Sequence, residues 1–245
     1  MQVVILCGGK GTRAYPFTDY LPKPMLPING TPILIYVMRI FAEQGHTEFI
    51  LSLGHRKEVI IDYFDRKDFG WNVQFVDTGA DTDTGGRVAN CKHLLRDTFF
   101  VTYGDGLANI DLNKLTAFHG AHDGVGTITS TPLISQYGTL ESEASGRIRT
   151  FREKPVLPQY WINAGFFLFN RTIFQHWEGN NLEKEVFPSL VKKQLLYTYQ
   201  HAGFFKSMDT YKDHQELEQM YRDNVLHMKR PQEVNGHETT DVLAR

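Results

Sequence analysis

Apolar positions along this chain change repeatedly from unbroken runs to helical spacing. Met1 to Leu6 (MQVVIL) is nearly continuous, and continuous rather than alternating apolar residues predict a parallel strand covered on both faces. From Thr31 to Glu43 (TPILIYVMRIFAE) the apolar residues recur at helical spacing, with Pro32 near the start and Gly45 just past the end. EFILSLG then reads as strand, RKEVIIDYF as helix, WNVQFVDT as strand, TDTGGR as a glycine turn or the start of the helix after it, VANCKHLL as helix, and FFVTYGDG as a strand running into a turn. This alternation predicts an α/β fold: a doubly wound, mostly parallel sheet with helices on both faces. Its ligand crevice should lie beyond the carboxyl ends of the strands.

The second half is more mixed. GVGTITSTP reads as strand, GTLESEASGRIRTFREKP as a hairpin turning at Ala144–Gly146, and INAGFFLFN as strand. NLEKEVFPSLVKK reads as helix despite Pro188, LLYTYQHAG as strand, and DTYKDHQELEQMYRDNVLHMKR as a long terminal helix. The tail, residues 231–245, is polar and weakly patterned and is expected to be loose or to pack locally. No repeat or low-complexity linker divides the chain. Residues 1–230 are therefore expected to form one domain, with 1–110 mainly holding one ligand and 111–230 the other.

Composition narrows the functional classes. The chain has 245 residues, 41% of them hydrophobic, enough for a substantial core. Lys and Arg number 26 against 28 Asp and Glu, so the net charge of -2 gives no reason to expect a nucleic-acid polymer as partner. Cys7 and Cys91 follow no metal-ligand spacing, and Cys7, at the end of an apolar run, reads as a reduced thiol of a cytoplasmic protein, used as a small hydrophobe. No apolar run reaches transmembrane length, so no membrane partner is expected, and the start lacks the pattern of a signal peptide. The sequence leaves homo-oligomerisation open.

Candidate chemistry gathers at predicted strand ends. Gly8-Gly9-Lys10-Gly11-Thr12-Arg13 follows the first strand, where missing side chains let backbone N–H groups approach an anion. Arg13 is suited to grip phosphate, although a structural tight turn would share this pattern. The stretch is neither GxGxxG nor GxxxxGK[ST], which disfavours a dinucleotide-dependent oxidoreductase and a Walker-type loop. Prolines on both sides of Lys23 (PKP) confine one ammonium group, for phosphate or simply in a rigid surface turn. Asp105 in YGDG and Asp209 in SMDT both follow apolar stretches; converging carboxylates would suit one Mg²⁺ carrying substrate phosphates, whereas singly they could cap a turn and a helix. Glu153-Lys154 and Asn163 likewise read as site residues or as surface pair and turn closure.

These motifs together bear a resemblance. GGKGTR with PKPM, then YGDG, FREKP, INAGFF and FKSMDT in that order, resemble the sugar-1-phosphate nucleotidyltransferases over nearly the whole chain to about Asp213. TYGDG after VDTG and TGGR is closer to the glucose-1-phosphate cytidylyltransferase branch. The resemblance implies the Rossmann-like nucleotidyltransferase fold and transfer of a nucleoside monophosphate, CMP from CTP, to a phosphorylated small-molecule acceptor with release of pyrophosphate. It implies nucleotide contacts at Leu6, Gly8, Gly9, Gly11, Thr12, Arg13, Lys23, Thr84, Gly85, Gly86 and Asp105. Catalytic roles would fall to Arg13, Lys23, Asp105 and Asp209, with Mg²⁺ on Asp105 and Asp209. The acceptor would meet Gly138, Glu153, Lys154, Asn163 and Gly165.

Two departures stand out. The family's usual Leu after Arg13 is Ala14 here. More consequentially, only DRKDFG separates Phe64 from Trp71, where the glucose-1-phosphate enzymes carry a longer segment. Short relatives of this kind use other acceptors, including heptose phosphates, phosphonates and phosphoamides. A catalytically silent nucleotide-binding relative would keep the glycine loop but could lose the aspartates, and both are present.

Overall fold

The computed structural model describes residues 1–11, 18 and 20–225. Thr12, Arg13 and Ala14 of the glycine stretch, and the expected tail from residue 231, lie outside the described residues.

The first strand, β1 (Gln2–Leu6), is buried throughout. Two short strands, β2 (Pro27–Ile28) and β3 (Thr31–Pro32), pair antiparallel before helix α1 (Ile33–Ala42). The helix thus begins two residues later than the periodicity predicts, because Pro32 is held extended at its N-cap. Next come β4 (Glu48–Leu53), α2 (Lys57–Asp65), β5 (Asn72–Asp77), α3 (Thr84–Asn90) and β6 (Thr98–Tyr103). The Thr84–Arg87 segment is therefore helix, not a free glycine turn. Asp83 caps it, its carboxylate accepting from the Thr84 N–H at 2.8 Å.

Beyond β6 lie β7 (Gly106–Ala108), α4 (Leu112–Gly120), β8 (Gly126–Ile134), the hairpin β9 (Thr139–Ser142) and β10 (Ile148–Arg152), and the long β11 (Val156–Asn170). A π-helical turn, Leu182–Val186, leads into α5 (Phe187–Lys192), where Pro188 sits in the first turn and removes no needed donor. The chain then forms β12 (Leu196–Gln200), β13 (Phe205–Ser207) and α6 (Tyr211–Arg222). Helix α4 and the β7–β13 pair carry too weak a periodicity to read from sequence. Helix α6 ends at Arg222, short of the predicted stretch to residue 230, whose end lies outside the described residues.

Seven strands form one sheet in the order β12-β8-β11-β6-β1-β4-β5. All run parallel except β11, which is antiparallel to both β6 and β8. Both halves of the chain contribute to it. The continuous apolar runs now have a cause. Val3 and Ile5 of β1, Phe100 of β6 and Phe166 and Leu168 of β11 enter the core beneath α1, while Val4, Leu6, Phe99, Val101, Phe167 and Phe169 enter a second core with α3 and α5. Strand residues alternate between faces, and a sheet covered on both sides needs apolar residues at every position. Phe41 of α1 meets Phe100 edge-on at 5.4 Å.

The short connection after α2 is closed by aromatic packing. Phe69 stacks on Trp71 at 4.9 Å and lies against Tyr63 and Phe64, while the Gly70 N–H donates to Asp68 at 2.8 Å. Six residues suffice because this cluster folds the chain back directly onto β5.

Candidate active site

Parallel strands β1, β4, β5 and β6 all deliver their carboxyl ends to one edge of the sheet, and the chain leaves that edge at Cys7-Gly8, Gly54, Thr78 and Gly104-Asp105. Both cysteines are free and buried, and burial pushes the Cys7 thiol well above its ordinary range, keeping it a neutral hydrophobe.

Lys23 occupies a single 3-10 turn, Lys23–Met25, closed by Met25 N–H to Pro22 O at 2.8 Å. Pro24 lies on Gly104, where a Cβ would sit 3.0 Å from the ring, so the proline seats the lysine directly beside the end of β6. Asp105 and Asp209 reach the same point through β7 and β13. These pair antiparallel with Gly106 opposite Ser207, and the Met208 N–H donates to Asp105 O at 3.0 Å. Carboxylates 104 residues apart in sequence thereby converge. The Lys23 ammonium lies 2.5 Å from Asp105 Oδ2 and 3.0 Å from Asp209 Oδ1. Ser207 Oγ donates to the other Asp209 oxygen at 2.9 Å. Burial alone would depress the Lys23 pKa, but the charges and hydrogen bonds of the two aspartates outweigh it and hold the group above its ordinary value. The lysine is a fixed cation.

Gly11 joins this centre to the glycine stretch. Its φ is +63°, and a Cβ there would lie 2.9 Å from Lys23 Cβ, so both conformation and space require glycine. Gly8 approaches Arg87 so closely that a Cβ would collide with the guanidinium. Gly9 is exposed with open space around it, and Leu6 is buried in the core beneath.

Arg87, the last residue of TGGR, is a finding that sequence reasoning missed. Its buried guanidinium donates to Gly8 O (2.8 Å), Thr78 Oγ1 (2.8 Å), Gly79 O (3.0 Å) and Leu53 O (3.2 Å). One side chain thus ties together the loops after β1, β4 and β5. Burial lowers its pKa from the ordinary arginine value while nearby charges, Asp83 among them, pull the other way. The sequence offers an arginine after two glycines, but no local pattern distinguishes an inward guanidinium from an outward one.

The predicted acceptor residues fall into two groups. Asn163 Oδ1 accepts from the Gly165 N–H at 2.8 Å, closing a bulge in which Gly165 takes φ +75°. The Tyr103 ring fills the space where a Gly165 Cβ would be, 2.6 Å away. These residues therefore adjoin the β6 end that carries Asp105. Gly138, Glu153 and Lys154 gather instead at the hairpin: a Cβ at Gly138 would meet Phe151 at 2.5 Å and Glu153 Oε2 at 3.0 Å. Glu153 and Lys154 are exposed and 4.0 Å apart, and Lys154 holds φ +46°, a sparsely populated backbone state for a residue with a side chain.

At the start of α3, Gly85 and Gly86 are buried under the segment preceding the π-helical turn. The Gly86 N–H donates to Asn180 O at 2.9 Å, and a Cβ at Gly85 would lie 2.8 Å from that oxygen. Thr84 Oγ1 donates to Glu183 Oε2 at 2.9 Å.

Among the described residues, no group of three or more His, Cys, Asp or Glu side chains is disposed to hold a metal ion. Asp105 and Asp209 both face the Lys23 ammonium, and a carboxylate pair completed by phosphate oxygens is a donor set of the kind that fits Mg²⁺, a hard ion usually bound by one or two carboxylates plus substrate. No helix of the described residues is long and apolar enough to cross a membrane.

Comparison with known proteins follows this geometry. The family described as nucleotidyl transferase matches residues 2–213. A Bacillus subtilis protein named "Probable glucose-1-phosphate cytidylyltransferase" is 38% identical over 246 residues, covering 90% of this chain and 96% of its own. The Salmonella typhi glucose-1-phosphate cytidylyltransferase is 34% identical over 247 residues, with the same coverage. Among solved structures, HddC from Yersinia pseudotuberculosis complexed with GMP-PN superposes with a TM-score of 0.68 at 23% identity, covering 90% of this chain and 99% of that one.

Proposed function

Because this chain belongs to the nucleotidyl transferase family, we propose that it transfers CMP from CTP to a small phosphorylated acceptor such as a sugar 1-phosphate, releasing pyrophosphate. The observation that carries the reading is the Lys23 ammonium held between Asp105 and Asp209 beside the glycine loop.

A phosphate oxygen of the acceptor attacks the α-phosphorus of the triphosphate, the bond to the β-phosphate oxygen breaks, and pyrophosphate leaves with the electron pair. The acceptor oxygen is already anionic at neutral pH, so the chain's work is alignment and charge neutralisation rather than proton abstraction. Lys23 offsets phosphate charge near the reacting centre. Gly8, Gly9 and Gly11 let backbone N–H groups and phosphate approach, and Arg13 and Thr12 keep the roles that the resemblance implies. The start of α3 at Thr84–Gly86 lies on the base and ribose side of the site, and Arg87 keeps the loops around it in register. Asp105 and Asp209 would hold Mg²⁺, which when bound neutralises the crowded phosphates. On the acceptor side, Lys154 pairs with the acceptor phosphate, while Glu153 and Asn163 hydrogen-bond its hydroxyl groups, with Gly138 and Gly165 letting Phe151 and Tyr103 pack close beside them. Residues 1–110 thus serve chiefly the nucleotide and 111–230 chiefly the acceptor.

Pyrophosphate release across a two-way panel tests this. It sets CTP, UTP, dTTP, ATP and GTP against glucose 1-phosphate, a heptose 1-phosphate, a polyol phosphate, a phosphonate and a phosphoamide, with and without Mg²⁺. CTP should lead. GTP is included because the fold neighbour from Yersinia pseudotuberculosis was solved with GMP-PN. A purine preference would refute the cytidylyl assignment, and no turnover with any pair would refute the enzyme. The short 65–70 connection favours an acceptor other than glucose 1-phosphate, and exclusive use of glucose 1-phosphate would defeat that refinement.

A further inference from the structure

Glu183 belongs to none of the motifs above, yet it stands between the two halves of the site. It is carried on the π-helical turn Leu182–Val186, and the chain just before that turn is fastened to the start of α3. Asn181 Nδ2 donates to Asp83 Oδ2 at 2.9 Å, Gly86 N–H donates to Asn180 O at 2.9 Å, and Leu182 N–H donates to Thr84 Oγ1 at 2.9 Å. The other side of Glu183 meets the Tyr103 hydroxyl.

The direction of every hydrogen bond along this line is fixed. Thr84 Oγ1 accepts from the Leu182 N–H, so its own proton goes to Glu183 Oε2, at 2.9 Å. The Tyr103 hydroxyl proton goes to Glu183 Oε1. Both carboxylate oxygens must therefore accept. An ionised carboxylate meets that demand, whereas a glutamine presents one acceptor and one donor and leaves a hydroxyl proton without a partner. Tyr103 in turn presses its ring on Gly165.

We propose that Glu183 is a positioning residue that couples the start of α3 at Thr84–Gly86 to the Asn163–Gly165 bulge through Tyr103, so that occupancy of the nucleotide side sets the shape of the acceptor side. The inference rests on the assignment of those two segments to the two substrates given above. A nucleotide lying beside Thr84 and the segment that covers Gly85 and Gly86 fixes the turn bearing Glu183. Glu183 then fixes Tyr103, and Tyr103 fixes the backbone of the bulge. By linkage the acceptor tightens nucleotide binding by the same factor.

The test uses the triphosphate–acceptor pair that turns over fastest in the panel above, with wild type, Glu183→Gln, Tyr103→Phe and the double variant. In wild type, the acceptor KM should fall as the nucleotide is raised from limiting to saturating. Glu183→Gln should fold with a near-wild-type Tm and raise the acceptor KM roughly tenfold, the scale of one lost hydrogen bond to a charged group, while kcat changes by less than about threefold. The nucleotide dependence of the acceptor KM should flatten. Tyr103→Phe should do the same, and the double variant should be no worse than the worse single one, within about twofold, because both remove one shared bond. An acceptor KM that is unchanged in Glu183→Gln, a loss confined to kcat with a lowered Tm, or additive effects in the double variant would each overturn the coupling while leaving the transfer reaction intact. Absence of wild-type turnover with every pair would instead overturn the parent reading, and the coupling with it.

Discussion

Lys23 is the residue on which the candidate site turns, because its ammonium is the cation shared by two carboxylates drawn from distant parts of the chain. Lys23→Ala should lower kcat by roughly 10²- to 10³-fold, the scale for losing one preorganised electrostatic partner of a transition state. Circular dichroism should show the fold retained, and an unchanged kcat/KM in a folded variant would remove Lys23 from the site. Asp105→Asn and Asp209→Asn should each lower Mg²⁺-supported turnover by a similar factor, and near-wild-type rates would refute the metal assignment. Lys23 also makes a prediction about stability. Its folded-state pKa is raised, so its contribution is complete below the unfolded value of about 10.5 and is lost as pH rises through the higher folded value. The urea midpoint of wild type should exceed that of Lys23→Met at pH 8, and the gap should narrow only above about pH 10.5. A gap that closes between pH 6 and 8 would contradict the ion-pair geometry.

At the scale of elements, the site is an arrangement of strand ends and the bulges between them. Gly165 shows why: its positive φ and the Tyr103 ring in the place of its Cβ both reject any side chain. Gly165→Ala should cost about 1–3 kcal/mol of stability. Its acceptor KM should rise more than its nucleotide KM, since the bulge belongs to the proposed acceptor side. Equal effects on both would argue that the substitution acts only through global destabilisation. Arg87 works across elements, with its guanidinium holding the ends of three loops. Arg87→Met should destabilise the protein by about 3 kcal/mol, because buried carbonyls lose their donor, and Arg87→Lys should rescue little because an ammonium cannot span the same acceptors. Full rescue by lysine in a chemical denaturation series would show that charge, not the planar fork, is what matters.

For the whole molecule, acid stability should depend on a histidine pair far along the fold. His119 Nδ1 and His122 Nε2 both lie against Thr127 Oγ1, at 2.8 and 2.7 Å. Burial lowers both pKa values. Asn170 pulls His119 the other way, His119 lowers His122 further, and Asp123 raises it. The unfolded chain therefore binds protons that the folded chain refuses, and stability falls as pH drops through about 6.5 toward the folded values. Thermal unfolding between pH 7.5 and 5 should show this decline, and His119→Asn should make it shallower. An unchanged slope would exclude the pair as its source.

The alternation of strands and helices and the parallel character of the first half were legible in the sequence, because burial on both faces forces continuous apolar runs and glycine follows closely on the ends of β1, β4 and β6. β1, β6 and the apolar part of β11 could be read for that reason. What the chain alone did not disclose depends on contacts between segments far apart. The reversed direction of β11, the pairing of β7 with β13 that brings Asp209 to Asp105, and the entry of Thr84–Arg87 into a helix pressed under Asn180 leave no local periodicity. Nor do the inward guanidinium of Arg87 and the Glu183 carboxylate between Thr84 and Tyr103, since a glutamate that meets only water and one that accepts two defined hydroxyl protons look alike in sequence. Residue types set which chemistry was available here. Only tertiary packing decided which of those groups meet, because distance and hydrogen-bond direction are properties of the folded chain.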